Sequence, residues 1–216
     1  MKTLLLKPDL PRRIALFAAG SGGNPERHLP LLNSLAESGC TVIAPPFERI
    51  VSAIPTSDEL LSRANALQSA LISASESDLP VVGIGHSIGA TLLLGLAGAK
   101  LYMKSGTVIP VTREDRLKNL VLLTPPTGFF QGPNALDSVR IPIQLWAGEL
   151  DNITAPSQVE FIKRTMTWAN IDFRIVKGAG HFSFMNTLPP NVIDPMPNRE
   201  EFLADLASDV CRFALS

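Results

Sequence analysis

Short apolar runs alternate along the chain with longer amphipathic stretches, and the two periods separate cleanly. The short runs are RIALFAA (13–19), TVIAPPF (41–47), PVVGIGH (80–86), LKNLVLLT (117–124), IPIQLWAG (141–148) and IDFRIVKG (171–178). Most are apolar at successive positions, as strands covered on both faces of a parallel sheet must be. Between them lie helix candidates: PERHLPLLNSLAESG (25–39), SDELLSRANALQSALISAS (57–75), SIGATLLLGLAGAK (87–100), PSQVEFIKRTMTW (156–168) and NREEFLADLASDVCRFAL (198–215). Ser57 ahead of Asp58 and Glu59, and Asn198 ahead of Glu200 and Glu201, read as helix starts, and Gly39 as a helix stop. Strand and helix alternating in this way predict an α/β fold, a mostly parallel sheet of about six to seven strands with helices on both faces. Only KTLLLKP precedes the first central strand, so any additional N-terminal sheet is small. The stretches 101–116 and 186–198 fit neither period and read as loops over a site, the first as a non-helical excursion able to act as a small lid.

Composition narrows this further. The chain has 216 residues, which suits one domain spanning 1–216. Its formal net charge is −1 with interspersed signs and no basic run, which argues against nucleic acid or anionic lipid as a partner. The opening MKTLLLKPDLPRR has too short an apolar run for a secretion signal or a membrane span, and a cytoplasmic protein is expected. The two cysteines, Cys40 and Cys211, share no short spacing and are expected as buried thiols, Cys211 on the inner face of the last helix.

The chemistry centres on GIGHSIGA at 83–90. In Gly85-His86-Ser87-Ile88-Gly89 a serine sits between two glycines where a strand becomes a helix, the setting in which a serine takes a strained conformation and presents its hydroxyl as a nucleophile. A dinucleotide-binding turn is the rival reading, but its next glycine is one place late and no acid follows at the expected distance. A serine nucleophile needs a base. Of the three histidines, His28 lies within a helix candidate and His86 points away from the Ser87 hydroxyl, which leaves His181 in the Gly-rich loop after the last strand. The orienting carboxylate comes from Glu149 or Asp151 after the preceding strand; Asp151 is preferred because its short side chain fits a tight loop. The chain order is then Ser87, Asp151, His181. The oxyanion donors are expected to be the N–H of Ile88, at the start of the helix, and the N–H of Ser21 in AAGSGGNP at 18–25. A phosphate cradle in that second segment lacks the required Gly-Lys-Ser or Gly-Lys-Thr.

GSGGNPE at 20–26, GHSIGA at 85–90 and GAGHFSFM at 178–185, with WAGELD between the last two, resemble the dienelactone-hydrolase-like branch of the α/β-hydrolase superfamily, which includes relatives of platelet-activating-factor acetylhydrolases. The resemblance implies a Ser-Asp-His hydrolase that cleaves small-molecule carboxylic esters with no cofactor and no metal. Two departures stand out: Ala19-Gly20 where such proteins commonly have His-Gly, and Pro45-Pro46-Phe47 where they often have an aspartate. Dienelactone hydrolases proper use a cysteine where this chain has Ser87. The segment PPTGFFQGPNALDSVR at 125–140 is too short for a helical cap domain, so an open site is expected, with Phe129, Phe130, Phe182, Phe184 and Met185 available to line it for small or medium apolar acyl groups. Other readings are a thioesterase or acyltransferase with the same triad, a noncatalytic ligand-binding scaffold of this fold, and, more remotely, a dinucleotide-binding oxidoreductase.

Overall fold

A computed structural model describes residues 2–52, 54–74 and 78–216. Its main sheet is built from β1 (Leu4–Leu6), β2 (Arg13–Ala18), β3 (Cys40–Ala44), β4 (Val81–His86), β7 (Leu117–Leu123), β8 (Ile143–Gly148) and β9 (Ile171–Val176). A separate small hairpin pairs β5 (Leu101–Tyr102) with β6 (Val108–Ile109). The helices are α1 (Leu29–Glu37), α2 (Ser57–Ala74), α3 (Ile88–Leu96), α4 (Pro156–Thr165) and α5 (Arg199–Ala214). The last residue of the second helix candidate, Ser75, lies outside the described residues.

The seven strands run in the order β1-β3-β2-β4-β7-β8-β9. All neighbours are parallel except β1, which pairs antiparallel with β3 and is the one strand ahead of residue 13. Every residue of β3, β4 and β8 is buried, which is why those runs carry no alternation. At the edge, β9 is only partly covered and carries Asp172 and Arg174. The chain leaves β2 for β3 on one side and later places β4 on the other. Strand order therefore reverses at β2, and the crevice beyond the C-terminal ends of β2 and β4 is where an open α/β sheet binds ligands. Crossovers of one hand travelling in opposite directions along a sheet lie on opposite faces, so α1 and α3 cover different sides. α1 packs with α5, and α2 with α3. All nine positions of α3 are buried, so TLLLGLAGA has no polar face to show.

The first helix candidate divides in two. Pro25–His28 is a 3-10 turn capped by Asn24, whose side chain accepts from Glu26 N at 2.9 Å. Pro30, with no N–H to give, stands where the tight turn passes into α1. α2 starts at Ser57 as read from the sequence, but its cap lies one residue earlier: Thr56 has its N–H on Glu59 Oε2 at 2.8 Å and its Oγ1 accepting from Glu59 N at 3.2 Å, a reciprocal capping box. Gly39 follows α1 with φ 100, and Asn198 precedes α5. The 101–116 stretch is not helical; it holds the β5–β6 hairpin, which packs against α2 and the 3-10 turn at Gly128–Phe130. That turn is the one regular element between β7 and β8, so no helical cap domain rises there. Cys40 and Cys211 are both buried and free. Among the described residues no helix is long and apolar enough to cross a membrane.

Candidate active site

Ser87 joins the end of β4 to the start of α3 with φ 54 and ψ −128, a region that a side chain enters only when its surroundings force it. The surroundings are specific. A Cβ on Gly89 would stand 2.0 Å from the carbonyl oxygen of Ala18 in β2, and one on Gly85 would stand 2.6 Å from Ala90 N. Only glycines let the helix sit this close to the sheet, the packing of a tight strand-to-helix elbow. Ser87 N donates to Leu123 O at 2.8 Å, which ties the elbow to β7.

His181 and Asp151 meet. Nδ1 of His181 donates to Oδ2 of Asp151 at 2.8 Å, with both side chains almost fully buried. The other oxygen of Asp151 accepts from Ile153 N at 2.8 Å and Thr154 N at 2.7 Å, so the carboxylate is held by donors on each side. Nε2 of His181 is thereby left as the ring's acceptor. Glu149 is used elsewhere: its Oε2 accepts from Gly178 N at 2.9 Å and braces the end of β9. The Ser87 hydroxyl makes no hydrogen bond among the described residues. It lies in the adjacent stretch of chain all the same, because His86, its neighbour, bonds through Nε2 to the carbonyl oxygen of His181 at 2.9 Å.

The Gly20–Gly23 turn closes the third side. A Cβ on Gly20 would stand 3.3 Å from Cβ of Ser87 and 3.3 Å from Nδ1 of His86. The N–H groups of Ser21 and Ile88 donate to no acceptor among the described residues. The carbonyls of the turn face the other way, onto Arg63 of α2: Nη1 reaches Gly20 O at 2.9 Å and Nη2 reaches Ser21 O at 2.9 Å.

No family model and no curated sequence matches the chain. Solved structures do. An esterase from Thermogutta terrifontis with bound butyrate superimposes with a TM-score of 0.67 at 14% identity, over 99% of this chain and 89% of that one. A monoacylglycerol lipase from Paleococcus ferrophilus gives 0.66 at 16% identity, over 98% and 99%. The protein TT1662 from Thermus thermophilus gives 0.65 at 17%, over 99% and 93%. This chain has the α/β-hydrolase fold.

Within the α/β-hydrolase fold the structure also shows residues that sequence reasoning passed over. His86 is more than a residue facing away from Ser87. Its ring lies between those of His28 and His181, with centroids at 5.3 and 5.0 Å, and it holds the His181 backbone. Burial pushes its pKa well below 6.5, with the His181 and His28 charges adding to the effect, so it stays neutral. His28, stacked on Phe17, is lowered to about 3, again chiefly by burial. Ser183 accepts from Gly180 N at 2.8 Å and donates to Asp194 Oδ1 at 2.8 Å, which ties the His181 loop to the irregular stretch after it. Arg63 had a visible signal: it stands on the same helical stripe as the buried Leu60, Ala64, Leu67 and Leu71. Of the aromatic residues suggested as lining, Phe130 and Phe184 are buried in the core, Phe184 edge-on against Phe202, and Met185 is 7% exposed. Phe129 and Phe182 are partly exposed, and the Phe182 ring meets that of His181 at 89°.

Proposed function

We propose that the chain is a serine hydrolase that cleaves carboxylic esters through a Ser87-His181-Asp151 triad and an acyl-enzyme. The observation that carries this is the buried 2.8 Å contact between His181 and Asp151, braced through His86 against a serine held at φ 54. In the acylation step Ser87 Oγ attacks the ester carbonyl and Nε2 of His181 takes its proton, while Asp151 fixes the tautomer and stabilises the imidazolium. The oxygen of the tetrahedral adduct receives the N–H groups of Ser21 and Ile88. His181 then gives its proton to the leaving alkoxide, and water, deprotonated by the same ring, releases the acid. Small acyl groups are the substrate class. In support, the Thermogutta terrifontis esterase has structures with butyrate and with propionate, and another phosphorylated by paraoxon. Labelling with a fluorophosphonate, then a chain-length series of nitrophenyl esters with Ser87→Ala as control, tests the reading. Labelling and short-chain turnover that vanish together in the variant are expected; equal turnover by the variant would overturn it.

A further inference from the structure

We propose that Arg63 is the positioning residue of the oxyanion turn: by holding the carbonyl oxygens of Gly20 and Ser21 it aims the N–H of Ser21 at the ester carbonyl above Ser87. The inference rests on the nucleophile and oxyanion roles proposed above.

The reasoning starts from the planar trans peptide, whose C=O and N–H point in opposite directions. The peptide joining Gly20 to Ser21 is trans. Its oxygen takes Arg63 Nη1 at 2.9 Å and Gly23 N at 3.0 Å, so its N–H faces away from α2. The elbow is next to this peptide, since Gly20 abuts both His86 and Ser87. The next carbonyl is fixed in the same way: Ser21 O takes Arg63 Nη2 at 2.9 Å and Ile50 N at 2.9 Å. A third bond runs from Nη2 to Glu48 O, and the guanidinium lies over the Phe47 ring, 5.0 Å from its centroid. The plane and fork of a guanidinium suit this set of acceptors, and a lysine ammonium would lose the spread. Arg63 is 4% exposed, and although the Glu59 charge favours it, no carboxylate lies within ion-pair distance of it among the described residues; burial lowers its pKa to about 10. A buried cation committed to backbone carbonyls is costly to keep, and orientation of a donor explains what it is kept for. Phe47 adds a further hold, its N–H donating to Gly23 O at 2.9 Å.

A groove of about 470 Å³ runs along Arg63, bordered by Phe47, Glu48, Asp58, Glu59 and Ser62, so a small cation in solution can reach the space the side chain would leave. The experiment uses the whole chain with Arg63→Ala and Arg63→Lys. It measures kcat per fluorophosphonate-titrated site, KM, Tm, inhibition by a trifluoromethyl ketone, and recovery in guanidinium chloride at concentrations that do not denature. The expected result is a loss of about 10- to 100-fold in kcat per titrated site, below the full loss of an oxyanion donor, with KM changed far less. The ketone, whose adduct carries the same oxyanion, weakens in parallel, and guanidinium restores kcat in Arg63→Ala alone. Wild-type kcat per titrated site in both variants, with only Tm or the titratable fraction reduced, would show a merely structural arginine and overturn the inference. So would a kcat loss with ketone inhibition unchanged. If Arg63→Ala does not fold, the kcat and ketone readings on Arg63→Lys carry the test. A wild-type protein that neither labels nor cleaves esters sinks the proposed function itself, whereas an active wild type with unaffected arginine variants sinks this inference alone.

Discussion

At the scale of single residues, the two acids after β8 have separated tasks. Asp151 orients His181, and Glu149 caps the Gly178 amide. Ser87→Ala and His181→Ala are each expected to lower kcat by about 10⁴-fold or more, and the double variant to be little worse than either, because the groups act as a unit. Asp151→Asn should cost less than these, and Glu149→Gln should leave kcat near wild type; steady-state kinetics on the five variants checks the assignment, and the reverse order for the acids would exchange their roles. Gly89→Ala is a packing test of the elbow. Its methyl would be driven into the Ala18 carbonyl at 2.0 Å, so a loss of about 3 kcal/mol or more in denaturant unfolding is expected, together with loss of labelling at Ser87.

Among the elements, legibility followed the source of the stabilising contacts. The strands β2, β3, β4, β7 and β8 could be read because they are buried on both faces, which leaves an uninterrupted apolar run in the sequence. Ser87 and Asp151 could be placed because each follows such a strand, and His181 because it stands in a glycine-rich loop after the last strand, β9, which is only partly covered. The hairpin of β5 and β6 could not, since strands of two residues are too short to show a period. Nor could the grip of Arg63 on Gly20, or of His86 on the His181 carbonyl, which join residues 43 and 95 positions apart and are fixed by the folded sheet. The shift of the α2 cap from Ser57 to Thr56 has a local cause, the return of Glu59 onto the Thr56 amide. Thr56→Ala should therefore destabilise the chain by about 1 kcal/mol in urea unfolding and leave kcat unchanged; an unchanged midpoint would show that the box is ornamental to α2.

For the whole molecule, the buried imidazoles link stability to acidity. His28 keeps a pKa of about 3 when folded against 6.5 when free, and His86 is shifted the same way, so below pH 6.5 the unfolded chain binds protons that the native one refuses. Stability from this source is complete above that pH and is lost as the pH falls toward the folded values. For His28 this amounts to roughly one proton in the slope across that window, and His86 acts in the same direction. His28→Phe, which keeps an aromatic ring beside Phe17, should flatten the dependence of unfolding free energy on pH between about 6 and 4 by roughly one proton's worth. An unaltered slope would place the acid sensitivity elsewhere. The stack has a spectroscopic consequence too. The chain holds 3 histidines in all, and they are neighbours in one column of rings that ends at Asp151. Every imidazole resonance in a proton spectrum of this protein therefore arises within or beside the same site. With the two inner rings neutral through the physiological range, binding of an ester analogue can be followed from the Hε1 signals of these three rings, with no other histidine in the chain to overlap them.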